Sequence, residues 1–245
     1  MRPPRLNPVG KNTLHSCAQC KGYRLIPNPW HELPLSGPYV LQRDAQAIGD
    51  FNRTARDHHR VHLEILPEPF LGNPLADIVL LSLNPGFSIE EERFHHFDAD
   101  FRGGALANLS HTPIPYPFYF LEPGKASPGH MWWQQRLKSL TDLYGHRAVA
   151  NNVLCLEYFP YHSERFHSSM PRVPSQVYTR HLLEMAMKRE AVVIVMRSLD
   201  RWRAAVPALD DYVVHTLKSS QAVYVSPRNC PTGFGAACER LNASK

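Results

Sequence analysis

The chain has 245 residues, 43% of them hydrophobic and 20% charged, which is enough to bury one sizeable core and forces no second domain. No apolar run reaches the length that spans a bilayer. The start Met1-Arg2-Pro3-Pro4-Arg5 lacks the apolar stretch of a secretory signal, so a cytoplasmic protein is expected, with no membrane partner. The formal charge of +5, with 14 histidines uncounted, suits a polyanionic partner without requiring one.

Five cysteines, an odd number, argue for free thiols rather than a disulfide framework. Cys17 and Cys20 form a lone Cys-x-x-Cys preceded by His15. With only Cys155, Cys230 and Cys238 besides, there is no second close pair to complete a four-ligand site. No metal or other cofactor is assigned, and zinc would come before an iron–sulfur cluster. The 22 prolines predict long, stiff connections between a modest number of regular elements.

Residues 1 to about 70 read as an irregular N-terminal extension packed on a single domain, with a helix possible over Asp44 to Val61. The polar run Asn52 to Arg60 reads better as a solvated helix face than as a phosphate-contacting one. The first strong element is Asp77 to Leu83. Its unbroken apolar character predicts a strand buried on both faces, as in a parallel sheet. Asn84, Pro85 and Gly86 follow at once and turn the chain at the strand's carboxyl end, where open α/β sheets bind ligands.

Ile89 to Phe97 is acidic and then aromatic. From His111 to Pro128 the proline density excludes a helix, and Tyr116, Phe118, Tyr119 and Phe120 either stack on single-stranded bases or cover a core edge. Met131 to Tyr144 has a helical apolar face at Trp133, Leu137, Leu140 and Tyr144, and Asn152 to Pro160 is again strand-like. A helix is expected over Pro174 to Glu190, with Val177, His181, Leu182, Met185 and Met187 on its apolar face. A buried strand over Ala191 to Met196, a short helix from Ser198 through Trp202, and a strand over Ala222 to Val225 complete the pattern. Alternating helices and strands imply an α/β fold, a three-layer α/β/α arrangement around a mostly parallel sheet.

The string Leu81-Ser82-Leu83-Asn84-Pro85-Gly86-Phe87-Ser88 resembles the first motif of the uracil-DNA glycosylase superfamily. Tyr224-Val225-Ser226-Pro227-Arg228-Asn229-Cys230-Pro231 resembles the His-Pro-Ser-Pro-Arg-Asn-Pro loop of its single-strand-selective monofunctional branch. The likeness covers roughly Asp77 to Gly235, with the two end motifs its specific parts. It implies a uracil-DNA glycosylase-like fold, a DNA partner, a monomer, and hydrolysis of an N-glycosidic bond to leave an abasic site.

In that resemblance Asn84 positions the attacking water, with Pro85 and Gly86 in the pocket. An aromatic about a dozen residues on carries the flipped base; Phe97 fits the spacing best among Phe94, Phe97 and Phe101, and core packing is the alternative. Where relatives place an Asn that reads the base, followed by an aromatic, this chain has Glu157 and Tyr158. An ionised carboxylate only accepts, which suits the N4 amine of cytosine and not O4 of uracil. A cytosine derivative is therefore expected, and its removal would suit antiviral defence against foreign DNA carrying such bases. With its pKa raised by burial, Glu157 would supply the proton that helps cytosine leave; the alternative is that it turns away to pair with Arg165 or Arg172.

The family's histidine that donates to the base is replaced by Tyr224, or by Ser226 in a slipped register, with His162 a further donor or a structural residue. Pro227, Arg228 and Asn229 match the segment that contacts DNA where the base has left. The same pocket also fits a repair enzyme for uracil or oxidised uracil. Loss of the histidine fits a DNA binder without catalysis.

Overall fold

The computed structural model describes residues 26–219 and 221–244; His15, Cys17 and Cys20 lie outside them. Five strands form one sheet in the order β1-β3-β2-β4-β5: β1 Phe70–Gly72, β2 Ile78–Leu81, β3 Val153–Leu156, β4 Val192–Val195 and β5 Val214–Thr216. β3, β2, β4 and β5 run parallel, and β1 pairs antiparallel with β3 at one edge. Every residue of β2 and β3 is buried, as unalternating runs of Ile, Val and Leu demand when both sheet faces are covered.

The expected strands at 77–83, 152–160 and 191–196 are thus present but shorter. The strand expected at Ala222 to Val225 is not. Those residues form a loop, because the Asn229 side-chain amide donates to the carbonyls of Ala222 at 2.6 Å and Tyr224 at 3.1 Å and so takes up acceptors a ladder would use. The edge position next to β4 is filled by β5 instead.

The helices are α1 Gln42–Asn52, α2 Ile89–Phe97, α3 Ala99–Leu109, α4 Pro128–Tyr144, α5 His146–Asn152, α6 Gln176–Lys188, α7 Leu199–Ala205 and α8 Pro231–Ala243. Helix α1 stops well short of Val61. Asn52 exchanges two 2.8 Å hydrogen bonds with the backbone of Val61 and folds the chain back on itself, so the run to Arg60 is not a helix face. The acidic stretch after Ser88 is helical because the Ser88 hydroxyl accepts from Glu91 N at 3.1 Å, an N-cap with three glutamates in the first turn. In α6 the apolar face includes Tyr178, Leu182, Leu183 and Met185, while Val177 points outward. No helix among the described residues is long and apolar enough to cross a membrane.

From β2 the chain passes through α2 to α5 to reach β3 on one side, then returns through α6 to β4 on the other side of β2. Parallel crossovers of the usual right hand would put these two sets of helices on opposite faces of the sheet, so the strand order is compatible with α/β/α layering. The chain leaves the carboxyl ends of neighbouring β2 and β4 in opposite directions. A crevice opens between them.

The described part of the N-terminal segment is built into the core through Trp30, Tyr39, Leu41, Ile48 and Leu66. Asp44 of α1 is fully buried and accepts from the Tyr161 hydroxyl at 2.7 Å and from Ser175 N at 3.1 Å. It thereby clamps the loop after β3 to the start of α6. Asp44→Ala leaves two buried donors unpaired, so urea unfolding should show a loss of about 2–5 kcal/mol. A change within about 0.5 kcal/mol, the usual range for surface substitutions, would contradict this role.

Candidate active site

Backbone pairing continues past the ends of β2 and β3 and fixes two loops against each other. Ser82 N donates to Leu156 O at 2.9 Å, Phe159 N to Leu83 O at 2.8 Å and Ser163 N to Pro85 O at 3.3 Å. On the far side Glu157 N donates to Pro69 O at 3.0 Å and Glu68 N to Pro160 O at 2.9 Å. Trp202 of α7 adds a 2.8 Å bond from its indole N–H to Ser82 O. The Asn-Pro-Gly turn and the Glu157 to Ser163 segment are therefore rigidly placed.

They border a cavity of about 530 Å³, within the roughly 300–1,000 Å³ of small-molecule sites. Ser82 to Ser88 follow β2, Glu157 and the His162 to Phe166 segment follow β3, and Arg197 follows β4. Phe120, Trp132 and Trp133 complete an aromatic wall, while Glu68 and Glu91 add two more carboxyls. Arg165 and Arg197 are exposed and form no ion pair among the described residues.

Asn84 has its side-chain orientation fixed. Its Nδ2 donates at 2.9 Å to the carbonyl of Pro85 and at 2.9 Å to the Ser163 hydroxyl. A backbone carbonyl only accepts, so the atom facing it must be the nitrogen. The side-chain oxygen Oδ1 is left as an acceptor with no hydrogen bond from a described residue. Gly86 gives the turn no unusual backbone: its φ lies outside the left-handed region and a Cβ there would meet nothing within 4 Å. Its contribution is the carbonyl that His162 uses.

Glu157 is buried and lines the cavity; the alternative pairing with Arg165 or Arg172 does not occur. Its Oε1 faces the Cys155 thiol at 3.9 Å and its Oε2 has no hydrogen-bond partner among the described residues. Burial pushes its carboxyl up to about 8, against the pull of the Ser82 hydroxyl and the Arg197 charge. This corrects the premise of an ionised carboxylate. Near neutral pH Glu157 carries a proton and both donates and accepts.

Glu68 accepts from the Tyr119 hydroxyl at 2.9 Å, and burial followed by the nearby Glu157 and Glu91 raises its carboxyl well above the ordinary range. Glu91 accepts from Gly129 N at 2.9 Å near the start of α4. Nothing in the sequence singled out Glu68, which sits between Pro67 and Pro69 in the stretch read as irregular. Only its cross-strand position beside β3 brings it here.

Other expected residues lie elsewhere. Phe97 is 86% exposed and outside the cavity; Phe87 lines it instead, stacked on His62 with ring centroids 3.4 Å apart. Tyr158 points to the opposite side, where it packs edge-on against Trp202 at 5.7 Å. His162 lines the cavity, but its Nδ1–H donates to Gly86 O at 2.6 Å and burial lowers it to about 4. A neutral imidazole has one N–H, so His162 has none left for a base and acts as a brace for the turn.

Tyr224 and Ser226 to Asn229 do not line the cavity. The Ser226 hydroxyl accepts from Asn229 N at 3.3 Å, and the Asn229 amide, besides closing the loop, accepts from Ser219 N at 3.0 Å. These polar groups hold the loop shut. Pro227 and Arg228 are exposed on it, just before α8. Phe118, Tyr119 and Phe120 are buried, so the proline-rich loop covers a core edge. Among the described residues no group of three or more His, Cys, Asp or Glu side chains is arranged to hold a metal ion.

No family model, no curated protein and no solved structure matches this chain. The resemblance to glycosylases rests on the two sequence motifs alone.

The Glu157 carboxyl, raised from 4.5 to about 8, makes stability depend on pH. Between those values the folded protein keeps a proton that the unfolded chain has lost, so stability falls as pH rises, by at most on the order of 5 kcal/mol. Glu157→Gln removes that term. Melting curves from pH 5 to 9 should show the variant gaining on the parent protein up to about pH 8 and levelling off above it; parallel curves throughout would contradict the buried, proton-bearing acid.

Proposed function

We propose that this protein is a monofunctional DNA glycosylase that takes a pyrimidine out of the stack and hydrolyses its N-glycosidic bond, with a modified cytosine as the preferred base. The observation that carries this reading is that Asn84 and the buried Glu157 line one cavity from the ends of adjacent parallel strands. A three-layer, glycosylase-like architecture belongs to the same proposal.

Such a reaction needs water held below the sugar and relief of negative charge on the departing base. Asn84 Oδ1 accepts a hydrogen bond from the water and orients it toward C1′. A neutral amide serves because the cationic sugar draws the water in and little base strength is needed. On the other side Glu157 accepts from the N4 amine of cytosine and donates to N3. As the C1′–N1 bond breaks, its electron pair moves into the ring and the Glu157 proton passes to N3, so the base leaves neutral; the water that adds to C1′ gives up a proton to bulk solvent, from which Glu157 is reprotonated. Arg165 and Arg197 at the mouth supply positive charge for the flanking phosphates.

The protonated state of Glu157 gives a second reading its support. A neutral carboxyl can also accept from N3–H of uracil and donate to O4, so uracil and its oxidised forms enter as substrates at neutral pH. The N3 lone pair of cytosine is the better proton acceptor, which keeps the cytosine reading first. Removal of such bases from foreign DNA would make the enzyme a defence factor.

The test is base release from single- and double-stranded oligonucleotides carrying uracil, hydroxymethyluracil, cytosine, hydroxymethylcytosine or glucosylated hydroxymethylcytosine, read by alkaline cleavage at abasic sites. Release from the cytosine derivatives is expected. Asn84→Ala should lower it by about a hundredfold or more at unchanged affinity. Glu157→Gln keeps one donor and one acceptor but has no proton to transfer, so binding should survive and turnover be lost. Absence of release from every substrate, with DNA affinity intact, would replace the enzyme by a DNA binder on this fold.

A further inference from the structure

The second sequence motif lies outside the cavity, yet three stacked side chains join it to the cavity wall. Trp132 lines the cavity from α4. Four residues on, the Arg136 guanidinium stands 4.6 Å from the Trp132 ring centroid and 4.6 Å from that of Tyr224. Val225 N donates to Arg136 O at 3.0 Å, which registers the loop on the helix at this point.

Among the described residues Arg136 has no carboxylate partner: its Nη1 donates to the neighbouring Gln135 at 3.0 Å, and its Nε has no acceptor. A cation between two aromatic faces with no counter-ion leaves positive charge for an incoming anion. Tyr224, at the outer end, is 38% exposed. Arg165, Arg197 and Arg228 are also exposed and without ion pairs among the described residues.

We propose that Tyr224, Arg136 and Trp132 form a stacking platform for single-stranded DNA. The base next to the extruded nucleotide lies on the Tyr224 ring, while the Arg136 charge draws the backbone toward the cavity. This rests on the reading that a nucleotide occupies the cavity. A ring face is useful to a strand whose bases expose theirs, as an unpaired strand does and a duplex does not. The exposed Arg165 and Arg197 on the cavity lining are complementary to phosphate, with Glu164 the one exposed carboxylate beside them among the described lining residues. Tyr224 then contributes a surface rather than a hydroxyl, which explains why it need not reach into the cavity.

The measurement is affinity for an oligothymidine strand and for an abasic deoxyribose-phosphate strand of equal length, by fluorescence anisotropy. Tyr224→Ala leaves the loop intact, because only the backbone of Tyr224 bonds within it, to Ala222 O and from Asn229. It should weaken oligothymidine binding roughly tenfold and leave abasic-strand binding unchanged. Tyr224→Phe should match the parent protein on both. Equal affinity of Tyr224→Ala and the parent for oligothymidine would overturn the platform. So would an equal loss on the abasic strand, or no binding of either strand by the parent. Affinity requires no turnover, so failure of base release with these results intact would count against the glycosylase reading alone.

Discussion

A carboxyl buried at the end of a parallel strand, with one oxygen lacking a hydrogen-bond partner among the described residues, is the constraint on which the site depends. Leaving a charge there would be very costly, so Glu157 keeps its proton. That single consequence sets what the cavity can do. The acid offers a donor and an acceptor side by side, holds a transferable proton near neutral pH, and makes the folded state less favourable as pH rises. Stability is given up at the place where chemistry is proposed.

The rest of the site is arranged so that this acid stays buried and still. Extension of the β1-β3-β2 pairing into the loops fixes Asn84 and Glu157 relative to one another, and the Asp44–Tyr161 and Trp202–Ser82 bonds anchor those loops from two helices. His162, neutral and braced on Gly86, adds no competing charge. The carboxyls of Glu68, Glu91 and Glu157 are buried along the cavity, while Arg165, Arg197 and Glu164 stand exposed on its lining.

Much of the sheet was legible because residues buried on both faces leave an unmistakable apolar run, and Asn84 because Pro85 ends the run at once. Glu157 was legible in position, and its protonation only as one of two open states, between which burial decides. Phe97 was placed by counting along the chain; Ser88 caps a nine-residue helix there and carries Phe97 about 13 Å away from the turn, leaving Phe87 at the cavity. The loop at Ala222 to Val225 reads as a strand locally and is diverted by one distant amide, Asn229. Glu68 reaches the cavity through pairing across the sheet, for which neighbouring residues give no sign.

The most direct measurement is the titration of the glutamate carboxyls by carbon NMR, with Glu157→Gln to assign the signal. One carboxyl is expected to titrate near pH 8 in the parent protein and to be absent from the variant. A Glu157 signal that titrates with the exposed glutamates, near the ordinary value of about 4.3, would contradict it.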